Sequence, residues 1–128
     1  MRLTGWSLAL LLLPGCSGIS GKWIGSCDFG DARYGYTAAV TLDLDDGRGS
    51  SVEGKVALDM FDGRSFKGEV DGLRSDTYVE LEGDFRQDDG VYNLKITGDI
   101  EESVIEGDCS LRIPLGTGAL TGDLLLER

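Results

Sequence analysis

Residues 36–45, YTAAVTLDLD, put Tyr36, Ala38, Val40, Leu42 and Leu44 on one side of an extended chain and Thr37, Thr41, Asp43 and Asp45 on the other. A helix of 3.6 residues per turn would scatter this set around its circumference, whereas a strand divides it into a dry face and a wet one. The same division recurs along the chain. Val52, Gly54, Val56, Leu58 and Met60 oppose Glu53, Lys55 and Asp59, and Phe66, Gly68 and Val70 oppose Lys67, Glu69 and Asp71. Val79, Leu81, Gly83 and Phe85 oppose Glu80, Glu82 and Asp84, and Tyr92, Leu94, Ile96, Gly98 and Ile100 oppose Asn93, Lys95, Thr97 and Asp99. Ile105, Gly107, Cys109, Leu111 and Ile113 then oppose Glu106, Asp108, Ser110 and Arg112, and Leu120, Gly122, Leu124 and Leu126 oppose Thr121, Asp123 and Glu127. With an opening strand around residues 21–27, the alternation predicts eight strands and no helix.

The connections are short and carry turn residues: DDGRGS, FDGR, LRSD, RQDDG, EES and PLGTG. Connections of this length join antiparallel neighbours, so an all-β, up-and-down antiparallel meander is expected. Closing its eight strands into a barrel removes both exposed edges. The charged face must look into water, because a membrane-spanning barrel needs the reverse, an apolar exterior. Cross-strand charges suggest a register in which Met60 faces Phe66 across residues 61–65, setting Asp59 against Lys67 and Lys55 against Asp71. Pairing Phe85 with Tyr92 likewise sets Glu82 against Lys95.

The first residues have a different character. Met1, Arg2 and Leu3 precede an apolar stretch from Trp6 to Leu13, the layout of a secretory signal. That stretch is too short to cross a bilayer as a helix, which takes about 20 residues. Leu13-Pro14-Gly15-Cys16 resembles the lipobox of bacterial lipoproteins. The resemblance implies cleavage before Cys16, acylation of its thiol and anchoring in the cell envelope. Ser17 stands where an aspartate in such lipoproteins often signals inner-membrane retention, so the resemblance further implies the outer membrane of a double-membraned cell. The expected organisation is a signal over residues 1–15, a lipidated N-terminus and tether over 16–20, and a barrel domain over 21–128.

Cysteine arithmetic agrees with this division. Three cysteines in an exported chain leave one odd, and acylation removes Cys16 from the count. Cys27 and Cys109 are then free to form one disulfide in an oxidising compartment. The first and seventh strands of a meander are not neighbours, so a bridge must cross part of the interior or distort the first strand; Gly25 and Gly107 leave room nearby. A redox pair is the rival reading, without Cys-x-x-Cys spacing to support it.

Gly21-Lys22-Trp23 resembles the Gly-x-Trp signature on the first strand of calycins, the lipocalin, fatty-acid-binding and avidin-like barrels. The resemblance implies that Trp23 packs at the closed end of the barrel against a basic residue from near the last strand, here Arg128; taken alone, Trp23 is also compatible with an ordinary core aromatic. Seven strands carry an inward glycine: Gly25, Gly54, Gly68, Gly83, Gly98, Gly107 and Gly122. Either these glycines mark strong curvature, or the missing side chains leave a cavity for a ligand.

Composition narrows the function. After the expected cleavage, 23 acidic side chains stand against 11 basic ones, which argues against nucleic acid as a partner and leaves a cationic protein or ligand compatible. The chain has no histidine, hence no Ser-His or Cys-His pair and no common zinc site. Asp43, Asp45 and Asp46, and Asp28 and Asp31, lie near glycines, and turn formation explains them better than calcium, whose twelve-residue loop pattern is missing. No catalytic residue, metal or cofactor is expected. A non-enzymatic binding protein holding a small apolar ligand in the barrel is the leading expectation. A structural or protein-interaction module of the envelope, such as an inhibitor of a cationic enzyme, is the alternative.

Overall fold

A computed structural model describes residues 18–30, 37–114 and 118–128. Eight strands follow one another: β1 (Gly21–Asp28), β2 (Thr37–Asp46), β3 (Ser51–Asp59), β4 (Ser65–Arg74), β5 (Tyr78–Gln87), β6 (Gly90–Glu101), β7 (Val104–Arg112) and β8 (Ala119–Glu127). Each pairs antiparallel with the next, and β1 pairs with β8 from Ile24↔Glu127 to Asp28↔Asp123, closing the barrel. The fold is the expected all-β meander. Cys16, Asp31, Tyr36 and the expected signal lie outside the described residues.

The alternating residues explain the closure. Val40, Leu42, Leu44, Val56, Leu58, Phe66, Leu81, Leu94, Ile96, Ile105, Leu111, Leu124 and Leu126 turn inward and are buried, and the acids and lysines between them face out. Two-residue hairpins join β5 to β6 and β6 to β7, where Gln87 pairs with Gly90 and Glu101 with Val104.

The turn between β3 and β4 corrects one expected register. Leu58, not Met60, pairs with Phe66, so Lys55 faces Glu69 and Glu53 faces Asp71. The loop is tighter than residues 61–65. Gly63 N–H donates to Met60 O (3.0 Å) and Gly63 takes φ of 94°, the left-handed residue of a three-residue hairpin. Met60 N–H then donates to Arg64 O (2.7 Å). The slip is two residues, so every side chain keeps its face while its partner changes. Phe85↔Tyr92 and Glu82↔Lys95 pair as expected. β4 also runs on through Leu73 and Arg74, which the LRSD turn signal placed outside it.

The inward glycines mark close approach of neighbouring strands. A methyl on Gly25 would overlap the Leu125 carbonyl, one on Gly122 the Asp28 carbonyl, and one on Gly83 the Glu69 carbonyl. Gly72, an inward glycine beyond the expected set, abuts Glu80 in the same way. The space that a side chain would take is filled by backbone, and beside Gly68 and Gly98 also by the Phe85 and Ile105 side chains, as in a tightly coiled sheet.

Candidate functional site

Three places carry the residues singled out by sequence: the two ends of the barrel and the outer wall of β2 to β5. At the end where β1 begins, Trp23 is fully buried and donates from Nε1 to Ile19 O (2.8 Å). The Arg128 guanidinium lies over its indole, 4.5 Å from the ring centroid, an attractive cation–π arrangement. The same guanidinium donates to Gly18 O (2.7 Å) and Ser20 O (3.1 Å). Gly21 sits between them at φ of 126°, a conformation L side chains avoid. Asp46 completes the closure: its carboxylate accepts from Ile19 N–H (3.1 Å) and pairs with Arg74, and its own N–H donates to Ser20 Oγ (3.0 Å).

Residues 18–20, expected in the tether, are therefore built into the barrel end, with Ile19 buried in its core. Burial of one isoleucine and the carbonyls held by Arg128 and Trp23 fix them there. The roles of Asp46 and Arg74 escaped sequence reasoning, since Arg74 was taken for a turn residue and the Asp46 carboxylate reaches across 27 residues to Ile19.

At the opposite end Phe66 packs between Phe85 (5.6 Å between centroids) and Tyr92 (4.7 Å). Tyr92 donates its hydroxyl proton to Asp89 (2.7 Å), and Arg64 donates to the same hydroxyl oxygen (3.2 Å). The hydrogen bond to the Asp89 carboxylate, with burial of the ring, holds the Tyr92 phenol above the usual tyrosine range. Asp62, in the adjoining turn, is held below the usual carboxylate range by the Arg64 N–H it accepts and by the Arg64 guanidinium.

Between these ends Cys27 and Cys109 are joined by a disulfide, with Cα atoms 6.1 Å apart. The bridge spans β8, which lies between the two cysteine-bearing strands. Cys109 pairs with Gly122, and Gly122 itself abuts the backbone at Asp28, beside Cys27. The missing side chain of Gly122 lets the β1 backbone at Asp28 approach β8 closely. Gly25 and Gly107, expected to leave room for the bridge, likewise admit carbonyls of neighbouring strands, those of Leu125 and Thr97.

The interior is filled around the described residues. A side chain lining a void that admits water retains accessible surface, and Leu42, Leu58, Val79, Leu94, Ile105 and Leu126 retain none to within one part in a hundred. The concavities lie outside. One of about 690 Å³ runs over the outer wall and is lined by Asp43, Asp45, Glu53, Lys55, Glu69, Asp71, Glu82, Asp84 and Asn93.

Register arranges these groups in ranks. Asp45 faces Glu53, Glu53 faces Asp71 and Asp71 faces Glu82, four carboxylates side by side across four strands before Lys95 on β6. In the adjacent rank Lys55 stands between Asp43 and Glu69, followed by Asp84 and Asn93. Asn93 donates to both Glu82 (2.9 Å) and Asp84 (2.8 Å). Among the described residues no ion pair forms on this wall, and no group of three or more acids or cysteines is placed to hold a metal ion. Sequence reasoning missed the rank because it set Lys55 against Asp71; the Asp62-Gly63 dipeptide, with glycine suited to the left-handed position of a three-residue turn, was the signal for the correct register.

No protein-family model, curated protein or solved structure matches the chain.

Proposed function

We propose that the chain is an envelope lipoprotein, anchored through acyl chains on Cys16, whose calycin-like barrel is a non-enzymatic interaction module that offers an acidic wall to a cationic protein. The observation that carries this reading is the rank Asp45, Glu53, Asp71 and Glu82. Like charges directly opposite one another on a sheet oppose folding by about 0.2–1 kcal/mol per pair. The rank is tolerated against that cost on a concave surface, and a partner's lysines or arginines would relieve it.

The alternative, a small apolar ligand inside the barrel, has less support. The space beside the inward glycines is taken by neighbouring backbone or by the Phe85 and Ile105 side chains, and among the described residues the middle-layer side chains retain no accessible surface. Catalysis has less still, because among the described residues the carboxylates of the outer wall stand exposed on strand exteriors, where water is not excluded. The calycin-like assignment draws on the Trp23–Arg128 stack and on the closed eight-stranded meander. The outer membrane is favoured by Ser17, as in the lipoproteins the signal resembles.

Two arms test the proposal. Cys16→Ser releases the protein from envelope membranes; retention would contradict the anchor. In the soluble domain, a variant carrying Asp45→Asn, Glu53→Gln, Asp71→Asn and Glu82→Gln loses about tenfold in affinity for a decalysine peptide at low salt, at roughly 0.3–0.5 kcal/mol per exposed carboxylate. A control with Asp99→Asn, Glu101→Gln, Glu106→Gln and Glu127→Gln, equal in charge change, loses less than about twofold on the same screened scale. Equal losses would contradict a site on the β2–β5 wall.

A further inference from the structure

We infer that the Trp23–Arg128 end of the barrel is a membrane-docking face, seated on the bilayer that holds Cys16. The inference rests on acylation of that cysteine and adds the orientation of the barrel to it.

Chain length limits how far the barrel can stand from the lipid. Gly18 is tied to the barrel through its carbonyl by Arg128, Ile19 is buried, and Ser20 is held by Arg128 and Asp46. Only two peptide steps separate Gly18 from Cys16, and two residues span at most about 7 Å. An acylated cysteine lies at the lipid surface, so the barrel end cannot stand further off than that leash. A flexible ten-residue tether would have a reach of about 17 Å and would let the barrel tumble.

The opposite end is out of reach of the same surface. β2 has ten residues. At about 3.3 Å per residue and a tilt of about 40°, it separates the two ends by about 25 Å. Turns 47–50, 75–77 and 102–103 therefore sit at headgroup level, and turns 61–63 and 88–89 project away.

Exposed apolar side chains occur at both ends, with Phe61 (74 % exposed) in turn 61–63 at the far one, so the leash and not apolarity selects the docked end. Leu73 (57 % exposed) and Tyr78 (38 %) bracket turn 75–77 at the docked end. Tyrosine, with an apolar ring and a polar tip, suits the boundary between headgroups and water. A barrel lying on its β2–β5 side would press the whole acidic wall against an anionic bilayer, whereas the docked end brings only turn acids such as Asp76 and Glu102 to it.

The test uses the full lipidated chain in vesicles of phosphatidylethanolamine and phosphatidylglycerol. A fluorophore is placed at Arg48→Cys, in the turn after β2, or at Asp88→Cys, in the turn after β5, and quenched by a lipid with a nitroxide on its headgroup. We expect at least threefold stronger quenching at position 48 than at 88. Inserting a ten-residue Gly-Ser spacer between Ser17 and Gly18 should remove the difference while flotation with vesicles is unchanged. Equal quenching in protein that floats would overturn the docked orientation and leave the anchor standing. Failure of the wild-type chain to float, as with Cys16→Ser, would overturn the acylation reading and the docking with it.

Discussion

Gly25 shows how much a single atom decides in this barrel. A Cβ there would overlap the Leu125 carbonyl on the neighbouring strand, so Gly25→Ala must push β1 off β8, where only five residue pairs close the barrel. Overpacking against backbone is expected to destabilise the fold by about 3 kcal/mol. Gly118 has nothing within 4 Å of the same position, and Gly118→Ala should be neutral or stabilise by up to about 1 kcal/mol. Urea unfolding of the two variants checks the contrast; similar midpoints would contradict close approach at Gly25. Tyr92 supplies a second residue-scale expectation. Its hydroxyl is held protonated beyond the ordinary tyrosine range by Asp89 and by burial. The stability this provides is complete below about pH 10, where tyrosine in the unfolded chain ionises, and is lost as pH rises toward the folded-state value. Stability measured from pH 8 upward should fall in that window, and Tyr92→Phe should flatten the fall. At this scale the sequence was half legible. Alternation identified which residues turn inward, but a glycine reads the same whether backbone or empty space lies beside it.

At the scale of elements, period and turn chemistry made all eight strands and their order readable, because a half-buried strand declares itself in local sequence. Register was readable only where the turn was. The two-residue Asp88-Asp89 connection fixes Phe85 opposite Tyr92, whereas the three-residue Phe61-Asp62-Gly63 loop shifts Phe66 from Met60 to Leu58. Matching opposite charges was a poor guide there, since each exposed pair contributes little against the geometry of a hairpin. The disulfide belongs to this scale too. It ties β1 to β7 over β8 and closes a separation of 82 residues. Loop-closure entropy alone gives about 4 kcal/mol of stabilisation. Replacing Cys27 and Cys109 together by serine should lower the unfolding free energy by roughly that amount; no change in the denaturant midpoint would mean that the bridge constrains nothing.

Across the molecule, buried side chains among the described residues pack at both ends of the barrel and between them. Ile19, Trp23 and Arg128 close one mouth, and Phe66, Phe85 and Tyr92 pack at the other. A chain that spends its inward faces on packing has its outer wall left for recognition, and there the rank of four carboxylates from Asp45 to Glu82, longer than the rank Asp28, Asp123 and Asp108 on the far side, is a feature that folding does not require. The sum of acidic residues was plain from composition, but their alignment was not, because rank order depends on four registers at once. The most direct measurement is a backbone-amide NMR titration of the folded domain with a decalysine peptide. Shifts should concentrate at Glu53, Asp71, Glu82 and their strand neighbours and vanish at about 0.5 M salt, where screening acts within a few ångströms. Shifts spread evenly over all acidic surfaces, or an apolar probe that perturbs Leu42, Leu94 and Ile96 in the interior while the peptide leaves the wall unmoved, would contradict it.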